Sequence, residues 1–261
     1  EVIDGKSERG GYPVIRKNMK QWIMDIPAFA ETLLKNLDTI DWPESTKEMQ
    51  RNWIGKSTGV EVDFEITGGG KFSIYTTCIE TIYGITFMVL APENTLVDEL
   101  KPRIKNWDEV EAYREKTKMK SDFDRTEMNK EKSGVILDGV KAINPVNGKE
   151  VPIFLGDFVL ASYGTGAVMA VPTHDQRDFE YAQFHKLDLI QVIDGRETET
   201  CAFEKQDYLG KGCKLINSEE FTGLTVEEAK EIKSELHENV NKLVGILPNE
   251  KAEYHTLSVL L

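Results

Sequence analysis

An α+β fold, with a mostly antiparallel, barrel-like sheet core and helices at its periphery, is what this sequence predicts. Three observations predict it. Short segments with strand-type patterning recur between residues 60 and 193. Glycine turns and an Asn-Gly pair join several of them at hairpin spacing. Helical segments interrupt the strands irregularly, instead of alternating with them as a parallel α/β sheet requires.

The elements follow in order. Residues 1–20 read as irregular, punctuated by Gly5, Gly10, Gly11 and Pro13, with a basic patch at Arg16, Lys17 and Lys20. From Trp22 to Leu37 apolar residues recur at helical spacing; Pro27 divides the run and leaves Ala28 onward as the surer helix. A second helix is expected from Glu44 to about Asn52, with Pro43 suited to its first turn. Val60, Val62, Phe64 and Ile66 then alternate with acidic residues as a half-buried strand. The turn Gly68-Gly69-Gly70 leads into a return strand over 71–77, and the β-rich run 82–91 is a further strand ended by Pro92.

Residues 98–132 differ, since ten of the 35 are acidic and ten basic. Helical spacing at Val110, Tyr113 and Thr117 marks a helical, solvated excursion from the sheet. Strands resume at 134–143, turn through Asn144–Gly148, and continue at 151–154 and 158–163. Ala167–Val171 forms a buried strand behind Gly164 and Gly166 and stops at Pro172. A helix is expected over 178–185, a strand over 189–193, and loop with a short strand over 195–217. An amphipathic helix follows over 225–244, opened by the capping box Thr225/Glu228.

The 261 residues suffice for one large or two modest domains. No apolar run approaches the roughly 18 residues of a membrane span, and the N-terminus lacks the shape of a signal peptide. The start at Glu1, without methionine, suggests an excised fragment. Cys78, Cys201 and Cys213 contain no CxxC pair, so a reducing cytoplasm is the default setting. A net charge of −13 argues against general affinity for a phosphate backbone, but not against gripping only the tip of a nucleic acid.

Walker, GxSxG, HExxH and GxGxxG motifs are all missing. The four histidines at 174, 185, 237 and 255 form no ligand pair; His174 with Asp175 and Asp178 could hold a metal on residue type alone. The chain is organised around residues 163–178, YGTGAVMAVPTHDQRD. That stretch runs from a glycine turn through a buried strand to a polar cluster at the mouth of a helix. Thr76, Thr77 and Thr81 form a second cluster beside Glu80. Threonines near a carboxylate, with no basic nucleophile, suit a site that orients water or stabilises developing charge. Asp178 at a helix start suits an ammonium group. The same residues also fit an ordinary N-cap and ordinary strand positions.

NWIGKSTG (52–59), YTTCIETIYG (75–84), AINPVNGKEVPI (142–153) and YGTGAVMAVPTHDQRDFEYA (163–182), with WPESTKEMQRNWIGKS leading in, resemble the editing insertion of leucyl-tRNA synthetases of bacterial or organellar type. The motifs keep the family's order over about residues 20–195. The resemblance implies residues 1–51 as a connection from a synthetase body, 52–245 as the editing domain and 246–261 as a tail without assignment. It implies hydrolysis of the ester of mischarged tRNA(Leu) carrying isoleucine, methionine or a norvaline-like residue, without cofactor or metal. The partners implied are the tRNA 3′ end with its aminoacyl-adenosine moiety and the rest of the synthetase, with no membrane.

By resemblance Asp178 holds the α-ammonium, while Thr76 and Thr77 contact the ester and ribose and support the oxyanion. Thr81 excludes leucine, and Met169, Val171 and Tyr163 belong to the substrate-binding set. Arg177 steadies the site or contacts tRNA, and a bound water is the nucleophile. The chain departs from the family at Cys78-Ile79, where Arg-Pro is usual, at Glu80 for Asp, and at Thr173 for a small residue. The missing arginine removes a fixed donor fork and motivates an alternative, a weakened insertion that only binds the tRNA end. HIGH and KMSKS signatures are missing, so the fragment is not expected to activate leucine.

Overall fold

The computed structural model describes residues 2–3, 6–14, 20, 22, 24–118, 120, 125, 133–161, 164–194, 213–231 and 250–254. It divides into two units, residues 1–59 with 250–261, and residues 60–249.

In the first unit β1 (Val2–Ile3) and β2 (Lys6–Ser7) pair antiparallel. Arg16 and Lys17 of the expected basic patch lie outside the described residues. The run beginning at Trp22 becomes helical only at Pro27, as one 3-10 turn followed by α1 (Ala30–Leu37). Helix α2 (Glu44–Ile54) takes Pro43 as its N-cap, not in its first turn as expected, and stops at Gly55 in the left-handed region with φ 62°. That glycine ends the helix because it has no Cβ to clash there. Arg51, late in α2, accordingly serves Asp38 at 2.8 Å and Glu48 at 3.2 Å.

The second unit is built on a sheet ordered β4-β3-β6-β7-β5-β8. Its strands are β3 (Lys56–Ile66), β4 (Lys71–Thr76), β5 (Phe87–Leu90), β6 (Gly134–Ile143), β7 (Glu150–Gly156) and β8 (Ala167–Ala170). The hairpins β3–β4 and β6–β7 form as expected, with Val60 opposite Thr76 and Ile143 opposite Glu150. Only β5–β7 is parallel among the registered ladders of the described residues. The fold is thus α+β with peripheral helices, but the hydrogen-bonded path is open between β4 and β8 and does not close into a barrel. β4 and β8 nonetheless lie close together. β8 is only four residues long and runs into Pro172, which has no N–H to offer a closing ladder. A last strand, β9, covers Glu250–Tyr254 and belongs to the first unit.

Strand β8 separates two apolar clusters. Ala167, Met169 and Val171 face the larger, which contains Ile79, Ile82, Tyr83 and Ile85; Val168 and Ala170 face the smaller, with Phe87, Phe154 and Tyr181. The charged excursion contains α3 (Leu96–Leu100) and α4 (Trp107–Lys118), with Val110 and Thr117 buried at the expected spacing. Arg103 ties it to the β3–β4 turn through the carbonyls of Gly69, at 2.7 Å, and Thr67.

Two expected strands and the start of a third are something else, while residues 87–90 of the run 82–91 form β5, and each departure has a partner distant in sequence. The β-rich start of the run 82–91 belongs to a 3-10 helix, Ile79–Gly84, with every residue buried. Thr81 Oγ1 donates to the Cys78 carbonyl at 2.8 Å and closes the turn, while Asn144 Nδ2 donates to the Ile82 carbonyl at 2.9 Å. Tertiary partners thereby override β-propensity. Residues 158–161 form turns, because Arg125 donates to the carbonyls of Asp157 and Val159 at 2.6 and 2.8 Å. Residues 189–192 form no strand: the N–H groups of Val192 and Ile193 go to His174, and pairing is confined to one antiparallel bridge, Ile193 with Leu215, flanked by Ile216 N–H to the Val192 carbonyl at 2.9 Å and Asp194 N–H to the Lys214 carbonyl at 2.7 Å.

The helix expected at 178–185 is α5 (Gln176–His185). The Thr225/Glu228 capping box opens α6 (Val226–Glu231), with the Thr225 N–H donating to Glu228 at 2.8 Å and the Glu228 N–H to Thr225 Oγ1 at 3.1 Å. The rest of that expected helix, through 244, lies outside the described residues. Among the described residues no helix is long and apolar enough to cross a membrane.

Candidate functional site

Helix α5 needs an N-cap, and Asp175 supplies it: its carboxylate accepts from the N–H of Arg177 at 2.8 Å and of Asp178 at 3.1 Å. Asp178, the third helical residue, is therefore not the N-cap. Its Oδ2 turns back to accept the Val171 N–H at 2.8 Å, across Pro172. The carboxyl is held where strand β8 ends and helix α5 begins. Burial pushes its pKa up to about 8, with the Asp175 carboxylate adding to the rise; the Val171 N–H and Arg177 oppose it. A half-buried carboxyl at a helix start, short of a counter-charge, has the chemistry to receive a cation. Arg177 does not supply that charge directly, for it is exposed and reaches Asp175 at 3.6 Å.

The threonines sit at the end of β4 and in the 3-10 helix after it. Thr76 Oγ1 accepts the Cys78 N–H at 3.1 Å. Thr77 is exposed, its hydroxyl 3.7 Å from Cys78 Sγ. Thr81 is buried and donates to the Cys78 carbonyl, so the position where the family carries arginine is the hub of the turn through its backbone.

Gly84 ends this helix against Val171. A Cβ there would lie 3.0 Å from Val171 Cγ1 and from Val192 Cγ2, and 3.2 Å from the Ile190 carbonyl. The wall carrying Thr81 thus meets the end of β8 at one glycine, against Val171, whose N–H holds Asp178, with Met169 and Val171 on one side of the strand. Gly84→Ala must push Val171 or the 190–192 backbone aside, with an expected loss of about 1–3 kcal/mol, measurable by chemical denaturation. Tyr163 lies outside the described residues.

His174 accepts the N–H groups of Val192 and Ile193 on Nε2, at 3.0 and 3.1 Å, so Nδ1 carries the ring proton. It is a backbone acceptor here, and among the described residues no three His, Cys, Asp or Glu side chains converge as a metal site. Three features escaped sequence reasoning. Asp175 as cap could have been found from the D-x-x-D spacing to Asp178 that opens the helix. Asn144, read only as a turn residue, and the 190–193 segment behind the site carry no such pattern.

Comparison with known proteins gives one consistent result. The family profile described as "Leucyl-tRNA synthetase, editing domain" matches residues 51–238. A leucine–tRNA ligase of Alkaliphilus oremlandii is 46% identical over 231 residues, 88% of this chain and 28% of the relative. The synthetase in a LeuRS–tRNA–LeuAMS ternary complex of Agrobacterium radiobacter K84 superimposes with a TM-score of 0.68 at 31% identity, over 97% of this chain and 27% of that one. The chain therefore spans little more than a quarter of the length of these relatives.

Proposed function

The chain belongs to the leucyl-tRNA synthetase editing-domain family, and from that premise we propose that it hydrolyses the ester joining a wrong amino acid to the 3′ adenosine of tRNA(Leu). The wrong residues are isoleucine, methionine or norvaline, which a synthetic site discriminates from leucine weakly, since one methylene is worth only about 1–3 kcal/mol. Asp178 receives the α-ammonium. Met169 and Val171 line the side-chain pocket with Tyr163, and Thr81 stands against leucine. Thr76 and Thr77 hold the ester and terminal ribose and donate to the oxyanion. Water adds to the ester carbonyl, the bond from carbonyl carbon to ribose oxygen breaks, and the ribose oxygen takes a proton. No cofactor, metal or covalent intermediate enters. Residues 52–245 act as the editing domain, 1–51 lead to a synthetase body that holds the tRNA, and the setting is the cytoplasm.

The observation that carries this reading is the Asp178 carboxyl, aimed by the Val171 N–H at the strand end that abuts the Thr81 wall. The alternative, a weakened insertion that only binds the tRNA end, is motivated by Cys78-Ile79. Against it, the threonine turn is closed through the Cys78 backbone, for which an arginine side chain is unnecessary. The test offers the protein isoleucyl- and leucyl-tRNA(Leu). Selective release of isoleucine supports the reading; equal release of both at the uncatalysed rate defeats it.

A further inference from the structure

Segment 190–193 touches both halves of the candidate site without contributing a residue to it. On one side the Ile190 carbonyl and Val192 side chain pack against Gly84, at the end of the helix carrying Thr81. On the other, Thr173 Oγ1 donates to that same Ile190 carbonyl at 2.6 Å, and His174 Nε2 accepts the next two N–H groups. Thr173 and His174 lie between Val171 and Asp178, in the loop that sets the carboxyl's position. Both are buried, as are Val192 and Ile193. The segment thus engages the threonine wall and the carboxylate loop at once, while its pairing with 214–216 is a single bridge.

We infer that Thr173 and His174 form a clasp that positions Asp178 relative to the Thr81 wall, and so sets which amino acid fits between them. The inference rests on the editing reading above and adds two positioning residues to it. Thr173 gains its meaning here: a smaller residue would leave the Ile190 carbonyl without this donor. His174 serves because an imidazole nitrogen can accept from two adjacent N–H groups while its ring fills the loop interior.

The test compares His174→Leu, which keeps bulk and removes the acceptor, with His174→Gln, whose side-chain carbonyl reaches to the same two donors. Three quantities are read: hydrolysis of isoleucyl-tRNA(Leu), the ratio to leucyl-tRNA(Leu), and the Val171 amide resonance, which senses Asp178 directly. A displaced carboxyl should lower kcat/KM by about 10- to 100-fold and shrink the ratio in His174→Leu, with His174→Gln within about threefold of wild type. The Val171 resonance should move in the first variant and return in the second. A folded His174→Leu protein with unchanged hydrolysis, ratio and Val171 resonance overturns the clasp. If wild type cleaves neither ester, the editing reading falls, and the Val171 resonance alone decides the clasp. If His174→Leu does not fold, Thr173→Val takes its place: an unmoved Val171 resonance overturns the clasp, and a moved one supports it.

Discussion

Asp178→Ala should lower kcat/KM for isoleucyl-tRNA(Leu) hydrolysis by on the order of 10²- to 10³-fold, the cost of removing one partner of a desolvated charge pair. Asp175 is committed to capping α5 through the N–H groups of Arg177 and Asp178. Asp178→Asn keeps an acceptor for the Val171 N–H and the shape of the loop, so it isolates the charge. A comparable loss in Asp178→Asn assigns the effect to the ammonium contact. Wild-type activity in Asp178→Asn would rule that contact out.

The same carboxyl predicts a pH dependence. Its pKa is raised to about 8, so in the free protein it is neutral over most of the acidic and neutral range. A substrate ammonium, whose own pKa is about 7.7–8.0 for an α-amino group, needs it ionised. On the acid side kcat/KM should therefore climb as Asp178 loses its proton, and on the alkaline side it should fall as the substrate amine does. The profile is a bell peaking near pH 8, and Asp178→Asn should lose the acid limb. Stability follows with a definite sign. A carboxyl whose pKa rises on folding binds more protons in the native state, so its contribution is full below about pH 4 and is lost as pH rises towards 8. Asp178→Asn, neutral throughout, should match wild type in melting temperature at pH 4 and exceed it increasingly up to pH 8. Parallel melting curves across that range would contradict the raised pKa.

What could be seen in the sequence divides along a physical line. Elements stabilised by near neighbours were legible. The alternation from Val60 to Ile66, the Asn-Gly turn and the Thr225/Glu228 box each carry their own cause in a few consecutive residues, and each is present. Elements set by distant partners were not. Residues 79–84 have strand composition, yet Asn144, some sixty positions away, takes the Ile82 carbonyl and leaves a 3-10 turn. The stretch after β7 lacks a ladder because the Arg125 guanidinium, from the charged excursion and paired with Glu93, claims its carbonyls. For the site, Asp178 and the threonines stood out by residue type. Their shared anchor at Gly84 and segment 190–193 is long-range packing, which no local pattern encodes. Closure of the barrel depended on how far β8 runs, and Pro172 limits it.

Thr81→Ser should release leucine from leucyl-tRNA(Leu) about 10–200 times faster than wild type, the range that one methylene commands in an apolar pocket. The direction follows from what the hydroxyl of this threonine is committed to. Its hydroxyl is committed to the Cys78 carbonyl at 2.8 Å, in the bond that closes the 3-10 turn. The γ-methyl is the branch left to limit a neighbouring side chain, and serine removes it while keeping the hydroxyl. Thr81→Val makes the opposite change, preserving bulk and losing the hydrogen bond at a net cost of about 1 kcal/mol. If exclusion is steric, valine still spares leucine and serine does not; Thr81→Ala cleaves it as well, with a somewhat looser turn. If exclusion instead depends on the position of the turn, valine admits leucine and serine continues to spare it. Isoleucyl- and leucyl-tRNA hydrolysis measured side by side for these three variants separates the two, and sparing of leucine by all three would remove Thr81 from specificity altogether.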